Sequence, residues 1–186
     1  MKYTFLLFAF LFPILSSAQK TNADVFWTNL SAQCGKAFIG EVLEAPTNDA
    51  FRDHKLVMHV LSCDDEVINI PFFVGDDRSR TWIFTRKGDR IQLKHDHRHE
   101  DGSKDEVTMY GGTSTSTGLA TLQTFPADQQ TADLIPAAAS NIWWIEVVPD
   151  EYFTYNLRRI GTERLFSIRF NFENETETPP PAWGWE

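Results

Sequence analysis

From Lys36 onward the apolar residues fall in short runs broken by turn residues. A turn signal about every eight to twelve positions is the spacing of an all-β sandwich or barrel. Several runs alternate strictly. Ile68, Ile70, Phe72 and Val74 share one face, as do Phe166, Ile168, Phe170 and Phe172, with Ser167, Arg169 and Asn171 opposite. A period of two places one face of a strand in a core and the other in water. Strands are predicted near 36–44, 55–62, 66–74, 80–86, 90–99, 106–111, 119–125, 141–148, 151–160 and 165–173. Cys63-Asp64-Asp65-Glu66, Arg86-Lys87-Gly88-Asp89 and Pro149-Asp150-Glu151 read as hairpin turns, where Asp and Gly accept the required dihedrals. A meander of about ten strands favours an antiparallel up-and-down β-barrel, because closure removes the open edges of a sheet. A two-sheet β-sandwich is the alternative.

Two segments break this rhythm. Asp24 to Ala32 reads as a short helix or turn whose Phe26, Trp27 and Leu30 suit a plug under one barrel end. Asp128 to Leu134 is long enough for two helical turns before Pro136 stops it, either as a connecting helix or as a lid over a barrel mouth. Gly111 to Gly118 is expected to be a flexible polar loop. It lacks the Lys-Ser/Thr ending of a phosphate-binding loop, so it implies no nucleotide.

The N-terminus carries Lys2, an apolar stretch from Tyr3 to Leu15, and then Ser16-Ser17-Ala18-Gln19. This order predicts a signal peptide over residues 1–18, and therefore a secreted or periplasmic protein. The stretch is shorter than the roughly 20 residues a spanning helix needs, and no later segment suits a membrane span in the mature chain. The expected organisation is a leader, one barrel domain over 19–173, and an acidic, Pro-rich tail over 174–186. In that tail Trp183 and Trp185 either dock on the barrel or touch a partner. A formal charge of −9 and a pI near 5.0 argue against nucleic acid as a partner. In an oxidising compartment the only two cysteines, Cys34 and Cys63, are expected to form a disulfide. Two buried thiols or a metal thiolate are the other readings.

Candidate chemistry concentrates in one strand. Residues 90–101 read Arg-Ile-Gln-Leu-Lys-His-Asp-His-Arg-His-Glu-Asp. If Ile91 and Leu93 face the interior, the same parity sends His95, His97 and His99 inward near one barrel end, with Gln92, Lys94, Asp96, Arg98 and Glu100 outside. Neutral imidazole ligates zinc and related metals, and His-x-His on a strand sets two rings side by side. His95 and His99 would lie roughly 13 Å apart at about 3.3 Å per residue, so one ion needs a further donor. His59, in the apolar strand Leu56 to Leu61, is the first choice, with Asp105 and Glu106 as carboxylate candidates. The implied cofactor is a divalent transition metal such as zinc. Two other readings stay open: a metal-free, pH-sensitive cluster, and a structural row whose rings fill the barrel end.

No Gly-x-Ser-x-Gly elbow or His-Glu-x-x-His helix occurs. Trp143 and Trp144 must face opposite ways, one of them inward. Arg78 and Arg80 suit an anionic ligand at a barrel mouth, while Asp76 and Asp77 beside them suit local pairing.

Four stretches, Cys34-Gly35-Lys36-Ala37-Phe38, Gly75 to Trp82, Leu93 to Gly102 with its His-Asp-His-Arg-His-Glu-Asp-Gly run, and Val107-Thr108-Met109-Tyr110-Gly111-Gly112, resemble those of small bacterial secreted proteins of uncharacterised function. That resemblance implies no activity or cofactor. In outline the meander with an aromatic N-terminal segment is similar to the calycin barrels, including lipocalins, although Trp27 lacks a preceding Gly-x. The functional expectation is an exported β-barrel that binds a small ligand or a metal ion, with the histidines forming the polar end of its cavity. A metal-dependent hydrolase using His97, a neighbouring His and His59 is one alternative. A solid-core envelope or interaction protein is the other.

Overall fold

The computed structural model describes residues 19–185 apart from Asn48. The predicted leader, residues 1–18, lies outside the described residues. The strands are β1 (Ala37–Glu44), β2 (Leu56–His59), β3 (Ser62–Cys63), β4 (Val67–Val74), β5 (Asp77–Lys87), β6 (Arg90–His97), β7 (Tyr110–Thr113), β8 (Leu122–Pro126), β9 (Asn141–Val148), β10 (Tyr152–Arg159) and β11 (Leu165–Thr176). The helices are α1 (Asn22–Ser31) and α2 (Gln129–Leu134).

Ten strands run in the order β7-β6-β5-β4-β2-β1-β11-β10-β9-β8, with the short β3 paired to β4. Every pairing is antiparallel, and the first strand meets the last: Ala37 opposes Thr176 and Val42 opposes Ile168. The sheet is thus a nearly closed up-and-down barrel. Because side chains alternate across each strand, closure gives every strand one inner row. Ile68, Ile70 and Phe72 of β4, Trp82 and Phe84 of β5, Ile91, Leu93 and His95 of β6, Trp143, Ile145 and Val147 of β9, and Phe166, Ile168 and Phe170 of β11 are all buried.

The remaining seam, between β7 and β8, is held by backbone proximity and by α2. Gly112 of β7 lies so close to β8 that a Cβ there would sit 1.7 Å from the Pro126 carbonyl oxygen. The Asp128 N–H donates to the Gly111 carbonyl at 3.0 Å, and the Gly111 N–H donates to Oγ1 of Thr131 at 2.7 Å. On the outer face of β6, Lys94 donates to Asp128 at 2.6 Å and to Gln130 at 2.8 Å. A lysine expected in water is therefore buried beneath α2.

The two barrel ends differ. Helix α1 shuts one of them. Thr21 and Asp24 form its capping box, and Phe26, Trp27 and Leu30 are buried in the main core. Asn22 and Asn29 donate to the carbonyls of Gly118 and Ala120 ahead of β8, and Arg86 at the end of β5 pairs with Asp24 at 2.5 Å. The Cys34–Cys63 disulfide, with Cα atoms 6.1 Å apart, ties the segment after α1 to β3 at this same end. At the opposite end, the Ala50–Asp53 turn, the start of β5, the end of β6, the β10–β11 turn and the Pro136–Ala138 turn surround an opening.

Several boundaries differ from the sequence reading. β7 begins at Tyr110 rather than 106, because Asp105 caps the Val107 N–H and Met109 takes a left-handed φ of 58°. Gly111, Gly112 and Thr113, expected in a loop, are strand residues. β11 continues three residues past 173, pairing Glu175 with Phe38 and Thr176 with Ala37. Beyond it the tail docks on the barrel exterior: Ala182 packs with Ala37, Val57 and Phe73, and the Trp183 N–H donates to the Arg78 carbonyl at 3.1 Å.

Candidate functional site: the open end of the barrel

The lower half of the interior is solid. Phe84, Phe125, Phe153 and Phe170 are fully buried there, and Gly40 lacks a side chain where a Cβ would meet the Phe170 ring at 2.5 Å. Above this layer a cavity of about 210 Å³ remains at the open end.

Strand register builds the cavity in tiers. On the inner face of β5 and β6, Trp82 opposes His95 and Arg80 opposes His97, while His95 also opposes Tyr110 of β7. On β10 and β9, Leu157 opposes Trp143 and Arg159 opposes Asn141. The deeper tier is aromatic: Phe72 stacks on Trp82 at 4.8 Å between centroids, and Trp82 stacks on Tyr155 at 4.5 Å and 5°. The outer tier is polar, with Arg80, His97, Asn141 and Arg159 joined by Asp49 and Arg164 from the rim.

His95 is a fixed, neutral side chain. Its Nδ1 lies 3.1 Å from the Tyr110 carbonyl, which can only accept, so Nδ1 carries the proton. Its Nε2 then accepts from the Tyr155 hydroxyl at 2.8 Å. Burial pushes the ring's pKa down to about 3, opposed by the bond to Tyr110 and helped by His97 and Lys94. Burial likewise lowers His97, with Arg80 acting in the same sense. The His97 Nε2 and the Tyr110 hydroxyl are hydrogen-bonded at 3.0 Å. Burial raises the Tyr110 hydroxyl to about 12 and that of Tyr155 well above 10, although the positive charges of Arg80 and Arg164 pull both downward. At neutral pH the imidazoles and phenols are all uncharged, so the cavity's cations are the three arginines.

These arginines have different partners. Arg80 pairs with Asp77 and lies over the Phe51 ring at 5.4 Å. Arg159 donates from Nε to the Asn141 side-chain oxygen at 3.0 Å. Among the described residues neither Arg159 nor Arg164 forms an ion pair.

The histidine row is divided by this structure. His95 and His97 line the cavity as parity predicts. His99 does not: β6 ends at His97, the chain turns through Asp101, Gly102 and Ser103, and His99 is exposed. The Ser103 N–H donates to Asp101, and Gly102 has φ +81°, so the turn chemistry of Asp-Gly-Ser overrides the alternation. His59 is buried, but it opposes Ala37 near the α1 end, while Leu56 and Met58 take the inner positions of β2. It does not line the cavity. Among the described residues no three His, Cys, Asp or Glu side chains are gathered as a metal ion requires. With both nitrogens of His95 engaged by the protein, the donor set does not fit a metal centre.

The outer row of β6 also departs from expectation. Asp96 is almost fully buried, bonded to Arg98 at 2.7 Å and accepting from the Trp185 indole at 3.1 Å, while Arg98 lies over that indole ring. Sequence reasoning did not single out Arg159, Arg164, Asn141, Tyr155 or Leu157. For Arg159 a signal existed, since it continues the inward row Phe153, Tyr155, Leu157.

No protein-family model, curated protein or solved structure matches this chain. The barrel outline expected from the calycin resemblance is present, whereas membership in a family of bacterial secreted proteins is not shown. The function must therefore be read from the cavity's own chemistry.

Proposed function

We propose that this chain is an exported binding barrel that takes a small organic ligand into its open end. One observation carries the reading: a barrel whose far half is packed solid and plugged by α1 keeps a cavity at the other end, where aromatic and polar side chains converge. Concave sites that are mostly apolar with a few placed polar groups are the usual form of small-ligand sites. The volume of about 210 Å³ lies below the roughly 300–1,000 Å³ of pockets for drug-sized molecules, so the ligand is small. Export rests on the predicted leader and agrees with the Cys34–Cys63 disulfide. No described helix is long and apolar enough to cross a membrane.

His95 serves this function as a positioning residue. It fixes the Tyr155 hydroxyl proton away from the ligand, so the phenolic oxygen is an acceptor at the cavity wall. The test is two-dimensional NMR of the mature protein titrated with small aromatic and aliphatic compounds. Shift changes should concentrate on the indole N–H groups of Trp82 and Trp143. Changes spread over the barrel exterior, or none at millimolar compound, would refute a binding cavity.

A further inference from the structure

Resting on the reading of the open end as a binding cavity, we infer that its ligand is a small organic anion, with its charged head between Arg80, Arg159 and Arg164 and its apolar body against the aromatic tier below. Three guanidinium groups reach the cavity from three separate places: β5, the end of β10, and the turn before β11. One carboxylate, Asp49, lines the same cavity. Asp77 lies nearby and is occupied by Arg80.

The arrangement runs against the composition. The chain as a whole carries −9, yet the cavity lining holds three arginines and one carboxylate, with Asp77 beside it paired to Arg80, so the lining reverses the sign of the protein's overall charge. Chance surface pairing does not account for it, since Arg159 and Arg164 have no acidic partner among the described residues. Arg159 is half-buried, and its Nε is held by Asn141, which leaves its terminal N–H groups to aim elsewhere. An oriented guanidinium presents a planar fork that matches carboxylate or phosphate oxygens, whereas like charges brought together without an anion repel.

Neutrality of the other groups sharpens the choice. His95 and His97 are kept uncharged by burial and both tyrosines stay protonated, so among the described residues Asp49 is the one anionic side chain of the cavity lining, while the charges of Asp77 and Asp105 reach His97 from beside it. A ligand cation would meet three positive charges. A neutral ligand would leave the two unpaired guanidinium groups without a partner. Beneath the charged tier Phe72, Trp82, Trp143, Leu157 and Phe166 offer an apolar wall, so a bare inorganic anion would leave most of the cavity unused.

The test compares benzoate, phenyl phosphate and neutral benzyl alcohol, followed by tryptophan fluorescence and NMR on the mature protein. Benzoate or phenyl phosphate should bind at least about tenfold more tightly than benzyl alcohol, the scale of one charge-assisted hydrogen bond. Which of the two binds better identifies the head group. The advantage should vanish in R159Q/R164Q while benzyl alcohol affinity stays within twofold. R164Q alone, at an exposed position, should show a partial loss with no effect on folding. Raising the salt concentration should weaken the anions only. Equal binding of benzyl alcohol and benzoate, unchanged in R159Q/R164Q, would overturn the anion assignment and leave the binding cavity standing. Absence of binding by all three probes would overturn the cavity reading as well.

Discussion

The buried, neutral His95 makes a quantitative prediction about acid stability. Its pKa is about 3 in the fold, against an ordinary 6.5. The unfolded chain therefore binds a proton that the folded chain refuses, and stability falls as pH drops below 6.5. At pH 7.5 this costs almost nothing. At pH 5 the unfolded imidazole is largely protonated while the folded ring is still neutral, and the loss from His95 alone is roughly 2 kcal/mol at about 1.36 kcal/mol per pKa unit. Because the folded value lies far below 5, that figure depends almost entirely on the unfolded pKa. His97 and His59 are also shifted downward, chiefly by burial, and add to the loss in the same direction. Asp24, held near 2 by bonds to Thr21 and Arg86, contributes only as pH falls through about 4 and below, outside this window. The assay is urea unfolding at pH 7.5 and pH 5.0 of the native protein and of H95Q. The native protein should lose at least about 2 kcal/mol between the two, and H95Q should lose about 2 kcal/mol less than that. An identical loss in both would mean that His95 is accessible to protons in the fold, and the neutral, occupied ring described above would be wrong.

Other features make independent predictions. Replacing Cys34 and Cys63 with Ser releases a loop closed across 29 positions, worth about 3.6 kcal/mol of chain entropy; a urea midpoint unchanged in C34S/C63S would refute the tie. Gly112→Ala forces a methyl group into the Pro126 carbonyl, and should cost about 1–3 kcal/mol or more and speed amide exchange in β7 and β8. Unaltered exchange there would show that the seam does not close as described. Trp185→Ala removes a donor from buried Asp96 and a ring from Arg98, so the segment after Thr176 should become sensitive to limited proteolysis. Equal resistance in both proteins would place the docking energy elsewhere, in Ala182 and Trp183.

Much of this molecule was legible before any coordinates. Period-two alternation identified nearly all of the strands, and the inward position of His95 followed from its parity with Ile91 and Leu93. The aromatic run Phe26, Trp27 and Leu30 was readable as a plug. Parity gave the wrong direction where backbone chemistry interrupted a strand. His99 left the ladder because Asp101, Gly102 and Ser103 turn the chain, and β7 started late because Asp105 and Met109 curl it. Arg80 was visible as an anion candidate beside Asp77, and the structure gives it both roles, pairing with Asp77 while lining the cavity. Lys94 and Asp96 misled, since their alternation said water while α2 and the tail said otherwise.

The sequence by itself pointed to the class of fold, the inner row of several strands and the pairing of two cysteines, because these depend on local periodicity and a short list of residue types. Only the tertiary structure decided that the barrel is filled at one end and open at the other, and that Arg80, Arg159 and Arg164 line one cavity with Trp82 and Tyr155. That shared lining depends on strand register and closure across the barrel, which join residues some 80 positions apart and leave no mark on the spacing of neighbours along the chain.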